Sequence, residues 1–169
     1  KPKPLYTAMK EDMNNTSHDI LVIGAGVSGL SAAREAHRAG LSAAYLEAGI
    51  FGGLVLNVNV LDGAIQGSGA EYASDLVSAV AELGGESLEV AAQSIVADGA
   101  DLLVHSDSGI HRAKAVVVAS GASRRKLGVP GESSLEHRGV SHCADCDGPM
   151  YHGQQVVVAG GGDSAVQSA

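Results

Sequence analysis

The chain has 169 residues, 45% hydrophobic and 18% charged, enough for one good core but short for two complete nucleotide-binding domains of ~100 residues or more each. A formal charge of −8, no Trp and one Phe exclude the basic footprint and the aromatic platform that nucleic acid binding needs. No apolar stretch reaches the ~18 residues of a membrane span, and two Cys in C-x-x-C spacing indicate redox or metal chemistry in a cytoplasmic setting rather than a secreted disulfide scaffold.

Residues 1–17 lack an apolar signal core and are expected to form a flexible tail. Residues 20–23 read as a first strand, and residues 27–39 as a first helix capped by Gly40. Residues 41–47 read as a second strand ending in Glu47. The glycine-rich stretch 49–69 is loop-like, with Gly52-Gly53 as a tight point. Ala73, Leu76, Val77, Val80 and Leu83 recur at helical spacing, and Gly84-Gly85 ends that helix.

Three strand-like runs follow at 88–96, 102–106 and 110–119, separated by Asp98-Gly99 and Asp107-Ser-Gly109, so a β-meander is expected. Its last, wholly apolar residues, 116–119, return to the main sheet. Residues 127–139, with Pro130-Gly131, read as a connection between domains. Beyond Gln155 a further strand is expected, turning at Gly160 into a helix that runs to the end of the chain. The second unit is therefore expected to be truncated, because a lone strand and part of a helix cannot bury a core.

Two glycine fingerprints carry the chemistry. Gly24-Ala-Gly26-Val27-Ser28-Gly29 follows an apolar strand and opens a helix, the context in which a helix N-terminus holds a pyrophosphate. Its glycines serve a tight turn, close approach of backbone to phosphate, and close helix–strand packing. Glu47, at the end of the next strand, can accept hydrogen bonds from ribose hydroxyls and disfavours a 2′-phosphate there. Gly160-Gly-Gly162-Asp163-Ser164-Ala165 repeats the pattern. Just upstream, Cys143 and Cys146 are close enough to bridge, and Asp147 could move the proton that dithiol chemistry requires. Two other readings stay open for the thiols: an inert buried pair, or half of a zinc site completed from His137, His142 and His152.

The segment Gly139-Val-Ser-His-Cys143-Ala-Asp-Cys146-Asp-Gly-Pro-Met-Tyr151 resembles the low-molecular-weight thioredoxin reductases, whose core is shared by the flavoprotein reductase of alkyl hydroperoxide reductase. The resemblance runs from about His18 to Ala169, through Gly24-Ala-Gly26, Gly52-Gly53, Ala119-Ser120-Gly121-Ala122, the Cys pair and the second fingerprint. It implies an α/β fold: an FAD-binding Rossmann-like parallel sheet with an inserted β-meander, then the start of a second, NAD(P)-binding Rossmann-like domain. The implied division is an FAD-binding portion over 18–126, then a hinge and truncated NAD(P)H-binding portion over 127–169.

The resemblance further implies non-covalent FAD on the first unit and NADPH, with NADH still open, on the unit of the second fingerprint. Gly24, Gly26, Val27, Ser28, Gly29, Glu47, Gly52, Gly53, Leu54, Asn59, Ser120 and Gly121 would serve the first. Gly160, Gly162, Asp163, Ser164 and Ala165 would serve the second. Hydride would pass from nicotinamide to flavin, then to a Cys143–Cys146 disulfide and on to a thioredoxin-like or other disulfide protein. Cys146 would be nearer the flavin, Cys143 would attack the partner, and Asp147 would be the acid–base group. The full-length protein would be a homodimer whose domains rotate.

The chain also departs from the pattern. Leu54 stands where the family has Gln and cannot supply its amide hydrogen bonds. Asn59-Val-Leu-Asp-Gly63 replaces Glu-Asn-Trp-Pro-Gly with the Asn displaced, and the rest of the NADPH domain and a C-terminal FAD-binding segment are not in the sequence. Two further functions follow on the same residues: an oxygen-dependent dithiol oxidase, and an inactive nucleotide-binding fragment.

Overall fold

A computed structural model describes residues 17–63, 65–123 and 125–169. The tail expected over 1–17 lies outside the described residues except for Ser17, which begins the first strand. The chain divides into two compact units, one up to Ala122 and one from Ser123 to Ala169.

In the first unit, β1 (Ser17–Ile23), α1 (Val27–Arg38) and β2 (Ala43–Leu46) form a strand–helix–strand unit with β1 and β2 parallel. Gly40 takes a positive φ of 78° immediately beyond the helix, as the capping reading requires. A short 3₁₀ turn, Gly53–Asn57, lies within the glycine-rich stretch. Next, α2 (Gly69–Glu82) starts at a complete capping box: Glu71 N–H donates to the Ser68 hydroxyl while Ser68 N–H donates to the Glu71 carboxylate.

Six strands make one sheet in the order β3-β2-β1-β6-β5-β4. β3 (Glu86–Leu88) extends the parallel part beside β2. β4 (Ala92–Asp98), β5 (Asp101–Ser106) and β6 (Ile110–Val118) form the expected antiparallel meander. The start of β6 pairs with β5, while its later residues pair in parallel with β1 up to Val118 opposite Ile23. The meander thus returns to the main sheet as expected.

The single strand expected over 88–96 is corrected to two. Val90 N–H bonds to the Leu88 carbonyl, and Ala91 N–H donates to Asp107 Oδ1, so the backbone turns between β3 and β4. The turn has a topological cause. β3 and β4 are the two nominal edges, which would lie ~24 Å apart in a flat six-stranded sheet, whereas Leu88 to Ala92 reaches at most ~14 Å. The meander must therefore fold back over the parallel part.

Two cores follow from that folding. On one face, Leu30 and Ala33 of α1 and Leu76 and Val80 of α2 cluster with Val22, Ala25 and Tyr45. Leu30, Ala33 and Ala36 are the buried stripe of α1 at helical spacing. On the other face, Leu21, Ala44 and Leu46 meet Val104 and Ala113 of the meander.

The second unit holds α3 (Glu132–Leu135), α4 (Ala144–Asp147), a 3₁₀ turn (Gly148–Tyr151) and α5 (Asp163–Ser168). The strand expected after Gln155 is corrected: residues 155–160 form no strand, and Val157 is 94% exposed. A strand needs a neighbour for its backbone groups, and among the described residues none pairs with this segment. No helix among the described residues is long and apolar enough to cross a membrane.

Candidate functional site

In an open parallel sheet, ligands bind beyond the C-terminal strand ends, where the strand order reverses. Here the reversal lies between β1 and β6, because β2 and β3 follow on one side of β1 while β6 enters on the other. Gly24 leaves β1 at φ 102°, and a Cβ there would stand 2.3 Å from the Ala119 carbonyl oxygen. Only glycine therefore lets the end of β6, with Ser120 and Gly121, lie against the turn. Gly29 lets α1 dock on the same turn, because a Cβ there would sit 1.9 Å from the Gly24 carbonyl oxygen.

Gly26 differs from both. It is the N-cap of α1 in extended conformation, and its added Cβ would meet only the Gly52 carbonyl oxygen at 3.8 Å. The space beside it is a cradle that a side chain would fill. The amides of Val27, Ser28 and Gly29 open the helix with no intrahelical acceptor, and its first turn carries no acidic residue. Gly52 and Gly53 cross this point with positive φ: Gly52 N–H donates to the Ala25 carbonyl at 2.7 Å. The cradle and the unpaired amides fit a dinucleotide pyrophosphate.

Glu47 stands at the end of β2. Its Oε2 accepts the Ala25 N–H at 2.9 Å and its Oε1 accepts the Gly49 N–H at 2.8 Å. The carboxylate is thus fixed at the rim of the glycine turn, with lone pairs left for hydroxyl donors. Leu54 follows Gly53 in the 3₁₀ turn and is 56% exposed. Asn59 is exposed, and no hydrogen bond joins it to the glycines among the described residues. The fold therefore gathers Gly24, Gly26, Val27, Ser28, Gly29, Glu47, Gly52, Gly53, Ser120 and Gly121 at one sheet end, with Leu54 next in chain and Asn59 further along.

In the second unit, Cys143 and Cys146 form a disulfide across α4, with Cα atoms 5.3 Å apart. Cys143 is the helix N-cap, and its Sγ accepts the Cys146 N–H at 3.2 Å. Asp147 is half-buried, and its Oδ2 accepts the Ser141 hydroxyl at 2.6 Å. Ser141 lies in the segment Gly139–Tyr151, but nothing in that pattern gives its side chain a role. The histidines named for zinc lie on three features of this unit. His137 takes a φ of 60° in a turn bonded to Val140, His142 Nε2 is 3.6 Å from Glu136, and His152 ends the 3₁₀ turn.

Glu132 is a second residue whose role the sequence does not declare. Although buried, it is satisfied: its two oxygens accept the Leu127 N–H at 2.9 Å and the Gly128 N–H at 2.8 Å. The Leu127 bond is the largest of several effects that hold its carboxyl below the usual range.

The second fingerprint forms the turn into α5. Gly160 has a φ of 141°, and a Cβ there would stand 3.2 Å from Ala165 Cβ. Gly162 is the N-cap and accepts the Ala165 N–H at 2.9 Å, while Asp163 and Ser164 occupy the first helical turn.

The family model described as "Pyridine nucleotide-disulphide oxidoreductase" matches residues 18–169. The chain is 39% identical over 157 residues to the thioredoxin reductase of Treponema pallidum, covering 89% of this chain and 50% of that protein. Against the thioredoxin reductase of Bacillus subtilis it is 38% identical over 154 residues, covering 89% and 48%. The crystal structure of the Lactococcus lactis thioredoxin reductase superposes with a TM-score of 0.78 at 32% identity, covering 89% of this chain and 51% of that one. The chain thus spans about half the length of the curated relatives it matches.

Proposed function

The chain belongs to the pyridine nucleotide-disulphide oxidoreductase family, and we propose that it is the flavin and dithiol portion of a reductase that carries electrons from NAD(P)H to a protein disulfide. The observation that carries this reading is the Cys143–Cys146 disulfide on a helical turn, beside a tethered Asp147, in a chain that also builds the Gly26 cradle. The partner is a thioredoxin-like protein, the class named by the relatives. A reducing cytoplasm is the setting in which such a dithiol persists.

In this reading residues 18–126 hold FAD and residues 127–169 form the hinge and the start of the NAD(P)H portion. FAD, once bound, supplies a two-electron exchange between nicotinamide and disulfide. The α1 N-terminus and Gly26 receive its pyrophosphate and Glu47 its ribose hydroxyls. Gly52, Gly53, Ser120 and Gly121 would border it, and Leu54 and Asn59 belong to the loop that follows Gly53 in the chain. Gly160, Gly162, Asp163, Ser164 and Ala165 receive the nicotinamide dinucleotide.

The Cys pair does the external chemistry. Two electrons and two protons convert its disulfide to two thiols. The Cys143 thiolate attacks the partner disulfide and expels one partner thiolate, forming a mixed disulfide. Cys146 then attacks Cys143, reforming the internal bond and releasing the second partner thiolate. Asp147 accepts and returns the protons that the sulfurs lose and gain.

Anaerobic addition of NADPH, and separately NADH, to the intact flavin-loaded protein tests the proposal. Bleaching of the flavin band with loss of a thioredoxin-type disulfide supports it, and no bleaching with either nicotinamide overturns it. Leu54, which lacks the amide of Gln, is compatible with the alternative direction, from dithiol to oxygen, without favouring it. Peroxide formed from a dithiol substrate without nicotinamide would assign that direction instead.

A further inference from the structure

Ser141 ties the dithiol turn together. Its oxygen accepts the Cys143 N–H at 3.1 Å, and its hydroxyl donates to Asp147 Oδ2 at 2.6 Å. The Cys143 carbonyl, 3.2 Å away, is the longer alternative for the same proton. Asp147 N–H in turn donates to that carbonyl at 3.0 Å. These bonds link the Cys143 amide, the Ser141 hydroxyl, the Asp147 carboxylate and the Asp147 amide around the turn that carries the disulfide.

Several charged groups of the same unit have partners of their own. His142 Nε2 and Lys126 Nζ each lie 3.6 Å from an oxygen of Glu136, and Glu132 is held by two backbone amides. Among the described residues, Ser141 is the only side chain hydrogen-bonded to Asp147, and it engages Oδ2 alone.

The geometry points to Ser141 as the positioning residue for the proton step of dithiol–disulfide exchange: it anchors one oxygen of Asp147 to the Cys143 backbone and leaves the other to take and give the proton. This rests on the proposed function, in which Asp147 is the acid–base group. Removing that hydroxyl releases the carboxylate from the Cys143 backbone, so the proton is no longer met at a fixed place.

The step can be driven without flavin, with dithiothreitol as the two-electron reductant. A reagent thiolate attacks one cysteine sulfur, the Cys143–Cys146 bond breaks, and the displaced cysteine thiolate takes a proton. The second reagent thiol loses its proton and displaces the remaining cysteine, closing the reagent's own disulfide. Two electrons and the two reagent thiol protons thereby end on Cys143 and Cys146.

The test uses the intact protein with Ser141→Ala, Ser141→Thr, Asp147→Asn and the Asp147→Asn/Ser141→Ala pair. The readout is the rate of disulfide reduction by dithiothreitol at matched pH and reagent concentration. Ser141→Ala is expected to slow reduction by about 10-fold. Ser141→Thr, which keeps the hydroxyl, should keep the parental rate, and Ser141→Ala should slow nothing further in the Asp147→Asn background.

A parental rate in Ser141→Ala overturns the assignment. So does a Thr variant that behaves like Ala, or an equal slowing by Ser141→Ala without Asp147. The titration of the reagent itself is common to all variants and drops out of their ratios. No flavin takes part, so these failures are distinct from failure of NAD(P)H to bleach the flavin, which bears on the proposed function alone.

Discussion

Substituting Ala at Gly26 and at Gly29 separates cofactor binding from folding within one motif. At Gly29 the new Cβ would lie 1.9 Å from the Gly24 carbonyl oxygen, against 3.4 Å for ordinary contact, so backbone must part by about 1.5 Å. Both contacting segments are held, one in α1 and one in the turn after β1, and such overpacking costs ~3 kcal/mol. For a chain of this size that is a fall of ~6–12 °C in melting temperature. At Gly26 the new Cβ meets one oxygen at 3.8 Å, so the apoprotein should lose only ~1 kcal/mol from the poorer N-cap. The same methyl occupies the cradle, and FAD affinity should fall at least ~10-fold, equivalent to ~1.4 kcal/mol. Thermal unfolding of the apoproteins and a fluorescence titration with FAD measure the two effects. A Gly26→Ala protein with parental FAD affinity, or a Gly29→Ala protein as stable as the parent, would refute the reasoning.

Three further outcomes are expected. Cys146→Ser should abolish disulfide reduction, by at least ~100-fold, while NADPH still bleaches the flavin; retained turnover would remove Cys146 from the relay. Leu76→Ala empties a fully buried position between α2 and the sheet and should cost ~2–5 kcal/mol in denaturant unfolding; a loss under ~1 kcal/mol would mean that the helix face is not the core. Lys114 Nζ and the Ser42 amide and hydroxyl hold the Asp19 carboxyl far below its ordinary 3.8. A lowered folded value gives stability that is present above pH 3.8 and lost as pH falls toward that folded value. Asp19→Asn should therefore flatten the dependence of stability on pH between about pH 5 and pH 2; equal slopes for parent and variant would show that the link between β1, β2 and β6 adds nothing.

What could be read from the sequence was local. A strand, three glycines and a helix are adjacent in the chain, so Gly24, Gly26 and Gly29 declare the turn, and Asp98-Gly99 and Asp107-Ser-Gly109 declare the meander. Ser68-Gly-Ala-Glu71 carries an equally local signal, the capping box that starts α2 well before its apolar stripe. The break between β3 and β4 has no such mark: residues 89–91 contain neither Gly nor Pro, and the turn exists because opposite sheet edges must meet. Residues 156–159 have the composition of a strand but no partner to pair with here. Ser141 and Glu132 act through hydrogen bonds that short-range pattern does not encode. Ser141 reaches six residues along to Asp147, and a buried Glu132 shows its purpose only once the Leu127 and Gly128 amides are seen on it.

The central claim is that electrons from NAD(P)H arrive at Cys143 and Cys146. One equivalent of NADPH is added anaerobically to the oxidised, flavin-loaded intact protein, which is quenched with a thiol alkylator and digested for peptide mass measurement. The account predicts that the peptide spanning 143–146 gains two alkyl groups only after NADPH, and none in protein that carries no flavin. A peptide that stays unalkylated while the flavin is reduced, or one already alkylated before NADPH is added, would contradict it.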